Sequence, residues 1–597
     1  MQFVVAIKFV LFALSNLGVW ELLRRHTRLC ALSGFDDYFN EKDIGLYFLP
    51  SLTIAIETTF LFIGGLLNIL RETAFLIYLA GLILFIYYVV RERGVNFLRN
   101  YMRHGFAFLV IACAVLLICV NGQKFFHYDN FSHWALVVKQ MLMTNRYPNF
   151  WDQTIMFQEY PLGSSSYIYF FSLLVSKSES MWMFAQDYII IAAITPLLAF
   201  AKNNRIFSFA FVLLVTNFIL VFNISYFDLL VDTLLPVVSM CGLMFLVLYS
   251  SKIQAQRSEA YLSIFYFVQI LQIKNSGIFF ALIASMWLLF GIHGKESLRD
   301  RVLIAVAPYI SFVLWHRHCK YVFVYAAESK HAMTPEALRS GFMSHPPEVI
   351  KELCRLMTEY TLTDVPSKCV IICMLAFGIL VFVFATKYKH FFIKLLIFNF
   401  AMYVFYQFGL LLMYIFSMEG EYALELPGVD RYSQTILVAI MYSVAVFGLI
   451  VISELKFKRA WHCAAGAMLL AGVIFSSNPS LLPVPNVVSL AINQKERTDT
   501  ETRTHIENLK EKYSLMNYEN GVVLCEGEYD FLVAKYLIEG KGKYIDDFMN
   551  ITEEELETLS VQYVLNFDSE NPAIQAWIEE NYPEQLGNEV IFLNAVG

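Results

Sequence analysis

Charge is scarce in this chain. Asp, Glu, Lys and Arg make up 16% of its 597 residues, where a soluble domain carries roughly 25%. Most of its surface must therefore meet something other than water. The ten cysteines include no CxxC pair, which leaves no zinc spacing and no disulfide framework. Several of them (Cys113, Cys119, Cys241, Cys369, Cys373) lie in apolar runs, where a thiol behaves as a small hydrophobe. No internal repeat is visible. The N-terminal apolar run has neither a basic leader nor a small-residue cleavage site, so it reads as a retained span. Concentrated Lys and Arg are missing too. From Ala491 onward 22 acidic residues face 8 basic ones, a net of −14 within a chain of −7, which leaves +7 on the rest. An acidic tail on a mildly basic body excludes nucleic acid as a partner.

What the chain does have is hydrocarbon. Hydrophobic residues reach 58%, aromatics 16%, and mean hydropathy is +0.55. Apolar runs of about 15–25 residues, enough to cross a core of about 30 Å, occur about fourteen times. They lie near 2–21, 45–69, 73–91, 105–121, 179–200, 206–222, 228–250, 258–272, 275–293, 301–318, 368–386, 391–417, 434–454 and 459–476. The basic links at 24–28, 91–103, 201–205, 251–257, 293–301, 387–389 and 456–459 fall on one side if these runs alternate. That side is the cytoplasm. The alternation requires that the short run 166–175 not span, so it is read as a helix lying at, or dipping into, the outer interface. The pair 258–272 and 275–293, parted by little more than IKN, is read either as two spans or as one broken element. The expected architecture is a polytopic α-helical membrane protein of about fourteen spans over 1–476, a Pro/Ser-rich linker at 477–490, and a small extracytoplasmic α/β domain at 491–597. Strand-like runs at 521–525, 561–567 and 589–596 alternate with helix-like ones in that tail, which suggests a partly parallel sheet. The tail has no Gly-rich phosphate loop and no nucleophile elbow.

On this topology the outer side receives a loop at 121–178, the link 223–232, a loop at 319–367, and 423–433. The first is long, polar and aromatic, and such loops are more often functional than idle. It holds Asp129, His133, Trp134, Lys139, Arg146, Glu159 and Tyr160. Asp129 has two readings that spacing leaves open. It or Asn130 caps a helix running to about Met143, or, desolvated among aromatics, Asp129 serves as a general base. His133, four residues on, can meet Asp129 on one helical face, to orient it or to hold a phosphate or metal; the bland reading is an interfacial histidine. Lys139 and Arg146 are either solvated charge or phosphate partners. Asp228 and Asp232, four apart at the mouth of a span, are candidates by position, with a helix N-terminus wanting negative charge as the alternative. Lys274, flanked by apolar runs, either snorkels or meets an anion. Arg431 stands at the outer end of a span with Asp430 as a local partner.

The segments HYDNFSHWALVVK (127–139), EYPLGSSSYIY (159–169), FDLLVDTLLP (227–236), LQIKNSG (271–277) and PGVDRYS (427–433), set in this topology, resemble the GT-C superfamily of polyprenyl-phosphate-sugar-dependent glycosyltransferases. That superfamily includes protein O-mannosyltransferases, aminoarabinose lipid A transferases and arabinofuranosyltransferases, and the likeness is greatest to bacterial cell-envelope members. The resemblance implies a multi-pass plasma-membrane enzyme that moves a sugar, with inversion, from a polyprenyl-phosphate donor to a glycan or lipid-linked acceptor on the extracytoplasmic side. It makes Asp129 the base and Asp228 or Asp232 a second acidic residue that orients the acceptor or holds a cation. His133, Trp134, Lys139, Tyr160, Lys274 and Arg431 become the substrate- and phosphate-binding set. A divalent cation is the one cofactor candidate. The protein O-mannosyltransferases carry Asp-Glu in this loop where this chain has Asp129-Asn130, which favours a glycan or lipid-linked acceptor over a protein. The first three of the four spans before this loop precede the part of the chain with which the superfamily usually starts. Two other classes stay open: a polysaccharide polymerase or ligase, which relies on an outer loop rich in Arg and His, and a lipid-linked glycan flippase or transporter, which wants paired inverted halves.

Overall fold

Where no water reaches the backbone, peptide groups must bond within their own segment, and apolar runs of membrane-spanning length wind into helices. The computed structural model describes residues 2–27, 44–91, 104–149, 155, 157–201, 204–222, 227–250, 257–290, 298–323, 339, 342, 343, 345–418, 420–455, 487–498, 501–515, 521–524, 528–537, 562–566 and 572–593. Among these, nine helices are long and apolar enough to cross a membrane, and four further apolar helices are shorter. The chain is an α-helical, membrane-embedded protein. The helices are α1 (Gln2–His26), α2 (Leu49–Leu66), α3 (Leu70–Arg91), α4 (His104–Val120), α5 (Ala135–Thr144), α6 (Gly163–Leu174), α7 (Glu179–Ile194), α8 (Arg205–Phe222), α9 (Leu234–Ser250), α10 (Ser263–Ile273), α11 (Gly277–Phe290), α12 (Leu298–Val322), α13 (Pro347–Thr363), α14 (Val365–Phe384), α15 (Lys389–Ser417) and α16 (Val429–Glu454). The nine and the four occupy thirteen of the expected apolar runs; 459–476 lies outside the described residues.

Two readings change and two open ones narrow. The run 228–250 is helical only from Leu234, because its first residues form a turn tied by side-chain hydrogen bonds. The stretch 258–293 is two helices. They part at Lys274, whose backbone is extended (φ −159°, ψ 151°), and a Cβ on Gly277 would lie 2.3 Å from the carbonyl oxygen of Ile270, so the return is tight enough to demand glycine. The segment 319–367, read as a loop, contains α13. The short run 166–175 belongs to α6, which packs inside the bundle. Every residue from Gly163 to Ser172 is buried, Phe170 packs on Phe12 and Phe171 on Phe184, and Tyr147 and Ser166 share a hydrogen bond of 2.8 Å.

Among the described residues, basic side chains of two of the links stand at helix ends. Arg25, at the end of α1, stands over the ring of Tyr88 near the end of α3. Lys387 pairs with Glu454 at 2.8 Å, at the last residue of α16. That helix has 26 residues and so is about 39 Å long, with Arg431 on its opposite, first turn.

The C-terminal segment has α17 (Val487–Thr498), α18 (Glu501–Lys512), α19 (Glu528–Leu537) and α20 (Pro572–Asn581). Its strands β1 (Gly521–Leu524), β2 (Tyr563–Asn566) and β3 (Val590–Phe592) form one sheet with β2 central. β1 runs parallel to β2 and β3 antiparallel to it. Tyr563, Val564 and Leu565 are successive and all buried, as expected of a strand covered on both faces. The helix-like run 552–560 lies outside the described residues.

Candidate functional site

Four charged side chains from four separate stretches meet at the first turn of α16, the end away from Glu454 and its partner Lys387. Asp129 precedes a π-helical turn, Asn130–Trp134, and its carboxylate caps nothing. It accepts instead from Nη1 of Arg431. Nε of Arg431 lies 3.5 Å from Oδ2 of Asp232, and Oδ1 of Asp232 accepts from Nζ of Lys274 at 2.8 Å. The order is carboxylate, guanidinium, carboxylate, ammonium: two negative and two positive charges in a buried chain. Asp129 is 7% exposed and Asp232 3%, and charges so buried persist only when paired. Burial alone would raise the pKa of Asp232; Lys274 and Arg431 outweigh it and hold the carboxyl below its ordinary value.

Local structure aims each member. Gly428 adopts a left-handed conformation (φ 71°) that opens α16, and this puts Arg431 on the first turn, turned toward Asp129 and Asp232 and away from exposed Asp430. Lys274 occupies the break between α10 and α11. Tyr432 serves both cations: Nζ of Lys274 lies 4.9 Å and the guanidinium of Arg431 5.2 Å from its ring centre, distances at which a cation is held by the ring face.

Asp228 stands apart. The residues 227–233 are a turn, so the helical i,i+4 relation to Asp232 does not apply. Oδ1 of Asp228 accepts from the N–H of Leu230 at 2.7 Å, a bond within its own turn. Burial drives its carboxyl well above the ordinary value, an effect the Leu230 bond opposes and the Asp129 charge reinforces. Nε2 of Gln186 holds the carbonyls of Asp228 and Leu230 at 3.2 and 2.8 Å.

The loop residues divide. His133 is buried, and among the described residues neither ring nitrogen has a hydrogen-bond partner. Its ring meets Trp134, Phe157 and Tyr160 edge-on at 4.7, 5.8 and 5.2 Å. Burial lowers its pKa to about 3; a neutral ring packed among aromatics does not pair with Asp129, so the expected Asp129–His133 contact is absent. His127 takes that place: its Nδ1 accepts from the N–H of Asp129 at 3.2 Å and lies 3.9 Å from the carboxylate. Tyr160 stacks on Phe157 at 5.1 Å. Burial raises its hydroxyl pKa, with Tyr432 and Asp129 adding to it, so it stays a proton donor facing the ion chain. Trp134 backs Tyr160 at 5.8 Å. Lys139 is engaged by the C-terminal segment. It donates to the carbonyl of Tyr536 and stands over that ring at 5.0 Å, having found a neutral acceptor nearer than the ion chain.

Sequence reasoning missed His127, Tyr432 and Gln186, and saw Asn130 only as an alternative cap beside Asp129. The first two lie within two positions of residues already singled out. Oδ1 of Asn130 accepts from the N–H of Leu229 at 3.0 Å, which fastens the Asp129 turn to the 227–233 turn. Gln186, inside an apolar helix, carries a signal of its own: a buried amide there must find backbone partners. Among the described residues no three His, Cys, Asp or Glu side chains are grouped to hold a metal ion. Arg431 and Lys274 occupy the positions beside Asp129 and Asp232 that a divalent cation would need, so this donor set does not fit one.

Chemically the arrangement can accept a proton at Asp129 and bind an anion at Arg431 and Lys274, provided the anion competes with Asp129 and Asp232 for them. No protein-family model, no curated protein and no solved structure matches this chain.

Proposed function

We propose that the protein is an integral membrane glycosyltransferase that moves a sugar from a polyprenyl-phosphate donor to a cell-envelope glycan or lipid-linked acceptor. The observation that carries the reading is the meeting of Asp129, Asp232, Lys274 and Arg431 at one end of an apolar helix bundle. A lipid-borne phosphate is an anion delivered at the membrane surface, and the bundle offers two cations at that depth. In the proposed reaction the acceptor hydroxyl gives its proton to Asp129 as its oxygen bonds to C1 of the sugar from the face opposite the phosphate. The C1–O bond to phosphate breaks, and the phosphate leaves with the electron pair, its charge held by Arg431 and Lys274. Tyr160 and Trp134 supply aromatic surface beside the reacting groups. The alternation of basic links along the sequence, with Lys387 at the opposite end of α16, supports an extracytoplasmic site in the plasma membrane, with about fourteen spans and the C-terminal α/β segment on the outer side.

The test is transfer by the purified, full-length protein in proteoliposomes, with polyprenyl-phosphate sugars as donors and envelope glycans or lipid-linked saccharides as acceptors, read by mass spectrometry. The reading predicts a glycosylated acceptor and free polyprenyl phosphate in equal amounts. A protein that neither consumes such donors nor binds polyprenyl phosphate is not this enzyme.

A further inference from the structure

The turn at 227–233 is strained and is held from outside the membrane body. Phe227 has φ 53°, a left-handed conformation that a bulky residue adopts only when its surroundings impose it. Nε2 of Gln494, on α17, donates to the Phe227 carbonyl at 3.0 Å, and Gln494 is itself buried. The same C-terminal segment grips the other half of the site. Phe131, two residues beyond Asp129, lies between Tyr529 and Tyr536 of α19, with ring centres at 6.0 and 5.3 Å. The hydroxyl of Tyr529 donates to the carbonyl of Phe126 at 3.0 Å, and Lys139 donates to the carbonyl of Tyr536. Beside them Arg503 pairs with Glu179 at 3.2 Å, and Gln123 donates to the Ala491 carbonyl at 2.6 Å. Both turns that carry the site's aspartates thus take part of their shape from residues more than 250 positions away in sequence.

We propose that Gln494, Tyr529 and Tyr536 are positioning residues, and that docking of the C-terminal segment assembles the site by fixing the Asp129 turn and the Asp228–Asp232 turn against each other. A free C-terminal segment would leave Phe227 to relax out of its strained conformation. The Leu229 N–H bond to Asn130 would be lost with it, and Asp232 would shift relative to Arg431. The structural claim does not depend on the transferase reading; only its effect on turnover does.

The experiment is hydrogen exchange on the full-length protein in nanodiscs, followed at the amides of Asp129, Asn130, Leu229 and Leu230. Gln494→Glu keeps the size of the side chain and removes the donor. Tyr536→Leu removes the ring from Phe131, while Tyr536→Phe keeps it. Gln494→Glu is expected to speed exchange at Leu229 and Leu230 about tenfold, the consequence of losing one buried hydrogen bond, with the exchange of α9 and α16 unchanged. Tyr536→Leu does the same at Asp129 and Asn130; Tyr536→Phe matches the wild type. Unchanged exchange at these amides in folded Gln494→Glu and Tyr536→Leu overturns the proposal, and so does exchange that rises equally throughout the bundle. In the transfer assay the two variants lower kcat while polyprenyl phosphate alone binds within about threefold of wild type, a difference below 1 kcal/mol. Accelerated exchange in a protein with no transfer at all supports the positioning role and rejects the transferase reading.

Discussion

Arg431 reaches across 302 positions of sequence to bind the carboxylate of Asp129, and the same guanidinium faces Asp232. One planar group with donors on several edges thereby sets the separation of two carboxylates. Lysine is a point charge on a flexible stem and cannot do this. Arg431→Lys is therefore expected to impair transfer nearly as much as Arg431→Gln, by about 100-fold or more, because breaking a buried ion pair costs about 3–5 kcal/mol. Steady-state rates of the two variants decide it. A lysine variant with wild-type rates would show that charge alone is needed and that the bridge is incidental.

Asp129→Asn separates proton acceptance from scaffold. The asparagine side-chain oxygen still accepts from Arg431, so the ion chain keeps its shape and the protein still folds, with a lowered thermal midpoint because one buried charge of the chain is gone. The variant loses the group that takes the acceptor's proton. Transfer is expected to fall by about 10²–10⁴-fold, the usual contribution of a general base, with binding of polyprenyl phosphate retained. Single-turnover rates and binding measured on one preparation distinguish this from misfolding.

The Asp232–Lys274 pair invites a double-mutant cycle. Lys274→Met strips a buried carboxylate of its nearest cation and leaves only Arg431 at 3.5 Å. This should destabilise the protein by about 3 kcal/mol. Asp232→Asn combined with Lys274→Met removes both charges and should cost clearly less than the two single changes added together. Unfolding of the four proteins in one detergent measures the coupling, and strict additivity would mean that the pair contributes nothing as a pair.

Much of this could be read from the sequence, and the exceptions have physical causes. Thirteen helices sit where the apolar runs are, because hydrocarbon surroundings leave the backbone no alternative. Asp232, Lys274 and Arg431 drew attention as charges at the mouths of such runs, where an unpaired charge is costly. Hydropathy missed α13 because it buries only Leu353 and Met357, four residues apart in a polar segment. Spacing chose His133 over His127, since a ladder of i,i+4 contacts says nothing about an aromatic box that takes up the ring. It could not assign Lys139, whose partner is a backbone carbonyl some 400 positions away, or say which cation takes which carboxylate. Those pairings exist only once α10, α16 and the loop turns have come together.

The burial of His133 makes a pH prediction with a definite sign. Its folded-state pKa is lowered to about 3 by desolvation, against about 6.5 in an unfolded chain. The folded protein therefore binds fewer protons than the unfolded one between those values. The stability tied to this neutral ring is complete above about pH 6.5 and is lost as pH falls toward 3, by about 1.4 kcal/mol per unit. At pH 5 the loss is about 2 kcal/mol. His127, also lowered by burial, acts in the same direction. Asp228, raised by burial, acts in the opposite one and gains the folded state stability as pH falls. Asp232, held low, contributes only below its ordinary value near 3.9. The difference between wild type and one variant isolates His133 from all three. His133→Phe keeps an aromatic ring against Trp134, Phe157 and Tyr160 and has no proton to bind. Its unfolding free energy should fall less than that of wild type between pH 7.5 and pH 5, by about 2 kcal/mol. Parallel pH profiles for the two proteins would show that His133 titrates in the folded chain as it does in the unfolded one, and a wild type that gains stability over His133→Phe as pH falls would show a protonated, partnered ring.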